Sequence, residues 1–333
     1  MKRAIAALAA GCLIMVAGLA RAEGPIVIKF SHVVAPDTPK GKGAEKFKEL
    51  AESYTGGKVK VDVYPNSQLY KDKEELEALQ LGAVQMIAPS LAKFGPLGVR
   101  EFDVFDIPFL LPNQEVVHRI TEGPLGKKLL ALLEPKGILG LAYWDNGFRI
   151  MSANRPLHTP EDFHGLKMRI QSSKVLELQM RALGATPQVM AFSEVYQALQ
   201  TGVVDGTENP PSNMFTQKIY EVQKHATLSN HGYLGYLVIV NKKFWEGVPV
   251  DVRDALERAM HDATAYVTAI AQKENEDALE AMKKSGRTAF YELTPAEREA
   301  WVKAVEPVAE EMSARIGKDL IVEFRKEANG GTN

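Results

Sequence analysis

Arg149 and Arg169 stand twenty residues apart, each at or inside a run with strand character; the second run, Leu166 to Ile170, alternates apolar and cationic residues. Two guanidinium groups presented from neighbouring strands have two readings. They are solvated cations on exposed strand faces, as most arginines are. Or they converge on an anion, since the planar guanidinium fork matches a carboxylate bidentately. Other residue types that could join such a clamp are spread along the chain. Lys40 and Lys93 lie in segments that follow strand-like runs, and each is either a solvent charge or a ligand contact. His32 and Ser90 close two of those runs. Asn209, in "GTENPPSN", precedes two prolines, a rigid mount for an amide. Phe192 is either core or pocket wall, and Tyr236, with Tyr233 in "HGYLGY", either packs the interior or faces a site.

The tools of an enzyme are missing from the sequence. There is no G-x-S-x-G turn, H-E-x-x-H, C-x-x-C, P-loop or G-x-G-x-x-G dinucleotide turn. The seven histidines are scattered without metal-ligand spacing on a helix. Glu194 and Glu208 read as structural, Glu194 because a carboxylate in a helical first turn favours the dipole. No catalytic residue, cofactor or metal is expected. Convergent polar groups on strand-end loops point instead to binding.

Strand-end loops require strands. "PIVIKFSHV" is β-rich and ends at His32; Val59, Val61 and Val63 alternate as in a half-buried strand; "VQMIAPS" is a short buried strand. Helical patterns at Ala44–Tyr54 and Lys73–Leu81 separate them. This rhythm predicts a mostly parallel sheet with crossover helices, whose ligands bind at the strands' carboxyl ends. The rhythm restarts with strands expected at Ile138–Tyr143, Arg149–Ser152, Lys167–Ile170, Thr186–Val189 and Tyr236–Val240, and helices at Lys174–Leu183 and Phe192–Thr201. Residues 160–165 read as a turn or short helix. From Val250 to Ser285 there is neither Gly nor Pro, with Pro249 before and Gly286 after. One helix there would be about 54 Å long, a strut across more than one domain; the alternative is two helices. Thr294 and Glu297 have capping-box spacing at the start of the C-terminal helices.

The ends and the composition bound the rest. Met1-Lys2-Arg3, an uncharged apolar run to Leu19 and the small residues Ala20 and Ala22 form a secretory leader, residues 1–22, too short to be an anchor. Cys12 in "LAAGC" is a weaker lipoprotein-like alternative. Cleavage after Ala22 removes the only cysteine and the cations Lys2, Arg3 and Arg21, taking the formal charge from −2 to −5. A mildly acidic exported chain without disulfides depends on hydrophobic cores, and nothing in it recommends a nucleic acid as partner. Its length predicts about two domains.

"MAFSEVYQALQTGVVDGTENP" (190–210), the strand "GLKMRI" before it and "YPNSQL" near the start resemble the substrate-binding proteins of tripartite ATP-independent periplasmic (TRAP) transporters, along essentially the whole mature chain. The resemblance implies an α/β, periplasmic binding protein-like fold: two α/β lobes around a ligand cleft, with a long helix spanning both. Lobe I would comprise residues 23–146 and about 235–274, lobe II 147–234 and about 275–333. It implies a periplasmic location, an organic-acid ligand and delivery to a small and a large membrane permease subunit. Residue by residue, it implies that Arg169 bridges the ligand carboxylate, Arg149 adds a second cationic contact, Asn209 supplies an amide and Phe192 lines the pocket. "FSHVVAPDTPKGKGA" and "APSLAKF", with a neutral Ser90 and Lys93 nearby, look like the branch that takes C4-dicarboxylates such as succinate, fumarate and malate. A sugar acid, keto acid or aromatic acid is the alternative ligand, a sensor subunit the alternative role, and an organic-acid enzyme a further one.

Overall fold

The computed structural model describes residues 24–330; the expected leader lies outside them. Among the described residues eleven strands form two sheets. In chain order they are β1 (Ile26–Ser31), β2 (Val59–Tyr64), β3 (Met86–Ile87), β4 (Ile138–Phe148), β5 (Ile150–Ala153), β6 (Lys167–Ile170), β7 (Thr186–Val189), β8 (Gly206–Asn209), β9 (His225–Leu228), β10 (Tyr233–Asn241) and β11 (Ala289–Glu292). The first sheet runs β2-β1-β3-β10-β4 and the second β11-β9-β5-β8-β6-β7.

Both sheets are mostly parallel, as the strand–helix rhythm predicts, and each contains one strand that runs against the others. β1 pairs parallel with β2 and β3, but β10 lies antiparallel between β3 and β4. In the second sheet β5 is antiparallel to both β8 and β9, while β6 is parallel to β7 and β8. In the first sheet the exception is β10, which returns from the second sheet and enters from the opposite end, a pairing local rhythm does not encode. Every residue of β10 is buried, as befits a central strand without a polar face.

The helix expected to start at Ala44 begins at Pro39, because Thr38 caps it: its hydroxyl accepts from Gly41 N at 3.1 Å, and Pro39 takes the first helical position. That early start carries Lys40 into the first turn. Gly43 permits the close approach of the long helix, since a Cβ there would lie 2.4 Å from Val267. Val250–Ser285 is one continuous helix, flanked by Pro249 and by Gly286 at φ 64°. Its first half buries Val252, Leu256, Met260 and Val267 in the core of the first sheet, with Phe30, Phe47 and Trp144. Near its end Met282 enters the core of the second sheet, with Phe192, Leu199 and Met214. The chain also crosses between sheets at Phe148–Ile150 and at Leu228–Tyr233, where Arg149 N donates to Gly232 O at 2.8 Å.

The helix Pro295–Ile316 opens with the expected capping box, Thr294 and Glu297 bonding each other's backbone N–H groups. It and Lys318–Ala328 sit against both halves of the chain. Trp301 and Phe324 belong to one apolar cluster that also holds Ile87 and Leu237 of the first sheet and Met151 and Met168 of the second. Arg315 Nε donates to Asp103 Oδ2 at 2.7 Å.

Candidate functional site

Arg169 occupies β6, where Lys167 is exposed and the three residues after it are all buried. Its Nε and Nη2 donate to Met190 O at 3.0 and 2.8 Å, fixing the fork in one plane. The guanidinium carbon lies 5.8 Å from the Phe192 ring centroid. Nη1 is buried and has no hydrogen-bond partner among the described residues. Burial lowers the Arg169 pKa to about 10, opposed by the nearby Asp72 carboxylate, so the group remains a cation at neutral pH.

Asn209 closes β8, parallel to and one strand over from β6. Pro210 and Pro211 follow and start the helix Pro211–Thr216, so the amide is anchored between a strand end and a helix start. Both polar atoms of its side chain are buried without a partner among the described residues, as is Asn213 Oδ1. Asn213 Nδ2 and Asn146 Nδ2 both donate to the Tyr236 hydroxyl, at 3.1 and 3.0 Å. From the first sheet, Lys40 lays its ammonium 3.7 Å from the Tyr236 ring centroid and donates to Ala88 O at 2.9 Å. No salt bridge involving Lys40 occurs among the described residues, and burial lowers its pKa to about 7, with Glu75 opposing.

One cavity between the sheets is lined by Lys40, Ser90, Asn209, Asn213, Phe192 and Tyr236 among others, while Arg169 lines a neighbouring one that shares Asp72, Lys93 and Gln171 with it. Its free volume is only about 10 Å³, room for about one water. The cleft is therefore shut, and a small acid enters only when its walls part. Unpaired buried donors are expensive, about 1–3 kcal/mol each and more for a charged group. Here Arg169 and Asn209 present them from the same pair of strands.

Three expected contacts are placed differently. Arg149 does not line this cavity. Nη1 donates to Glu208 Oε1 at 2.5 Å, Nη2 to Asp106 Oδ1 at 3.1 Å and Nε to Tyr233 O at 3.3 Å, so its fork is fully paired with protein. The network extends through His231 Nε2, 2.8 Å from Glu208 Oε2, to Ser229, and through Asp106 to Ser173. Burial would raise the Glu208 pKa, but Arg149 and His231 outweigh it and hold it at about 2; burial pushes Asp106 up to about 6 despite Arg149. Lys93 lines the cavity, yet its ammonium is tied to Asp72 and, at 2.7 Å, to Glu75. The Ser90 hydroxyl donates across the cleft to Gln171 Oε1 at 2.7 Å. The reason is common to all three: the fold supplies each polar group with a protein partner of matching charge or polarity, which no local pattern announces. His32 is buried edge-on to Phe30, outside the cavity lining; neither ring nitrogen has a partner among the described residues, and burial together with Lys40 lowers its pKa to about 3.

Sequence reasoning missed Asp72, Gln171 and Asn213. Asp72 sits in the charge-rich stretch "YKDKEE", which reads as a solvated helix start; in the structure its Oδ2 accepts from Phe192 N at 2.5 Å across the cleft. The signal for Gln171 was its place, one residue beyond β6, where strand-end groups gather.

The profile described as bacterial extracellular solute-binding protein, family 7 (DctP), matches residues 30–315. A C4-dicarboxylate-binding periplasmic protein of Rhodobacter capsulatus is 72% identical over 297 residues, 89% of each chain. A TRAP periplasmic solute-binding protein from Sulfurospirillum deleyianum, solved with bound succinate, superposes with a TM-score of 0.88 at 46% identity, covering 91% of this chain and 99% of that one. One from Pseudomonas aeruginosa, solved with bound L-malate, superposes with a TM-score of 0.84 at 45% identity, covering 86% and 100%.

Proposed function

Since the chain belongs to the bacterial extracellular solute-binding proteins of family 7, we propose that it is the periplasmic receptor of a TRAP transporter, a binder rather than an enzyme, that captures a C4-dicarboxylate between its two lobes. Delivery is to a small and a large membrane permease subunit. Similarity over nearly the full length to a C4-dicarboxylate-binding protein, and to receptors solved with succinate and L-malate, supports the ligand class. One observation in this chain carries the reading: the buried Arg169 Nη1 and the Asn209 amide, on adjacent strands, lack partners among the described residues, and Asn209 lines a shut cavity with Lys40, which is in no salt bridge there.

In this reading one ligand carboxylate takes the free arm of Arg169 and the Asn209 amide. The second lies near Lys40, so Arg169 and Lys40, rather than Arg149 and Lys93, supply the charge a dianion needs in a water-poor cleft. Phe192 and Tyr236 exclude water, which strengthens both ion pairs. The ligand drives closure only through its greater affinity for the closed arrangement, because each of its ends contacts a different lobe.

Titration calorimetry with succinate, fumarate and L-malate, against a monocarboxylate, a sugar acid and an aromatic acid, tests the assignment. The C4 diacids are expected to bind best. Arg169→Ala should lose about 3–5 kcal/mol of binding, the order for a buried charge stripped of its partner, and Arg169→Lys should also bind poorly because an ammonium lacks the fork. Tighter binding of another acid class, or Arg169→Ala within about tenfold of wild type, would refute it.

A further inference from the structure

The first sheet ends at β4, whose far side pairs with no strand among the described residues. The other three sheet edges are blunted, as edges are when pairing with a foreign chain must be avoided. β2 carries Lys60 and Asp62, β7 carries Pro187, and β11 is only four residues long. β4 runs for eleven residues without Lys, Arg or Pro. Its outward amides can be identified. Leu237 N donates to Pro89 O and Asn241 N to Gln85 O, so the odd-numbered amides of β10 face β3. Tyr236 and Val238 then bond their partners Trp144 and Ala142 in β4, and the intervening amides of Leu141 and Tyr143 point away from the sheet. Neither donates to any group among the described residues outside the strand ladder.

This edge is recessed. Leu139 to Tyr143 are half-buried without alternation, and one cavity of about 560 Å³ is lined by all six residues from Gly140 to Asp145. Successive strand side chains point to opposite faces, and β10 closes the other side, so the cavity wraps the free edge. Its walls are helices. The Tyr143 hydroxyl donates to Gly126 O in Pro124–Ala131 at 3.0 Å, and Trp144 Nε1 to Thr264 Oγ1 in the long helix at 2.9 Å. The groove stops at Asp145, whose carboxylate is held at 2.5 Å by His118 and by Tyr233.

We propose that the free edge of β4 receives an extended segment of the membrane permease as an added strand. The inference rests on the receptor reading, which supplies that partner. A recessed edge admits one extended segment between its walls, whereas the β4 edge of a second copy would bring its own helices and collide. Backbone bonds to Leu141 and Tyr143 supply affinity, and the apolar walls, with Leu130 and Met260, select the side chains. Tyr236 lines both this groove and the shut cavity, so a strand seated here abuts a side chain that also walls the solute site.

The test places the receptor with the small and large permease subunits in proteoliposomes and measures succinate uptake against receptor concentration. Leu141→Pro removes an outward amide; Leu141→Lys keeps it and puts a charge on the edge. Both variants should bind succinate as the wild type does by calorimetry, yet need at least about tenfold more receptor for half-maximal uptake. Hydrogen exchange at the Leu141 and Tyr143 amides should slow when the wild type meets the permease. Uptake by the variants at the wild-type concentration overturns the proposal, and so does unchanged exchange at those amides in the complex. If Leu141→Pro does not fold, Leu141→Lys and the exchange measurement decide. Protection of the same amides in receptor alone, sedimenting as a dimer, overturns it in favour of a second copy. A wild type that binds succinate but drives no uptake sinks the transport reading first and the docking strand with it.

Discussion

Lys40 lies within the first turn of its helix and is almost wholly buried, with its ammonium over the Tyr236 ring and one backbone carbonyl as acceptor. Burial brings its pKa down to about 7, so near neutrality the free protein holds it partly deprotonated. A dianion beside it favours the charged form and raises that pKa. Binding then takes up a proton whenever the pH lies between the free and the bound values. Affinity should be flat below about pH 7 and fall as pH rises above it, by up to about tenfold per unit. Calorimetry in two buffers of different ionisation enthalpy measures that uptake directly. Lys40→Met should abolish it, and a wild type whose affinity is flat from pH 7 to 9 would remove Lys40 from the site. A sequence locates this lysine only as a residue after "PDTP"; its burial depends on Thr38 starting the helix early and on Gly41 and Gly43 letting it pack close.

The long helix was legible because its boundaries are chemical: thirty-six residues without Gly or Pro, bracketed by one of each. Lys167–Ile170 and Thr186–Val189 were legible because they alternate or sit between turn residues. His225–Leu228 and Ala289–Glu292 were not expected as strands, for their pairing with one another joins segments more than sixty residues apart. The same blindness to distant pairing hid how the long helix engages the crossing strands. Asn275 Nδ2 donates to Asn146 O at 2.8 Å, and its Oδ1 accepts from Ser212 N at 3.0 Å. One side chain thereby ties the helix to β4 on one side and to the helix after Asn209 on the other. Gly147 makes room for it, since a Cβ there would come within 2.9 Å of the Asn275 amide. Asn275→Ala strands a donor and an acceptor and should cost about 1–3 kcal/mol of stability by urea denaturation. Because Ser212 follows the Asn209 anchor, succinate affinity should weaken with it. A variant as stable as wild type would show that the strut is held by apolar packing alone.

At the scale of the molecule, the buried network around Arg149 sits where the chain passes between the sheets. It joins Asp106 from the segment before β4, Glu208 from β8 and the backbone of Tyr233 at the start of β10. Its charges explain why Arg149 belongs to the architecture. Two buried carboxylates share one guanidinium: Glu208 is held at about 2 and Asp106 lifted to about 6. Relative to ordinary unfolded values of 4.5 and 3.8, the signs are opposite. Glu208 contributes stability that is present above pH 4.5 and lost as pH falls toward 2. Asp106 contributes stability that is present below pH 3.8 and lost as pH rises through 6. Arg149→Met removes the cation and leaves both carboxylates to burial, which raises the pKa of each. The variant should then be about 3–5 kcal/mol less stable than wild type near pH 8, and the deficit should narrow on acidification, because the folded variant binds protons that the unfolded chain releases. Urea denaturation of both proteins at pH 8 and pH 5 measures the two gaps. A gap that stays constant or widens at pH 5 would mean that Glu208 and Asp106 are not both left buried and charged. Arg149 would then be free of them, as an open clamp at the ligand requires.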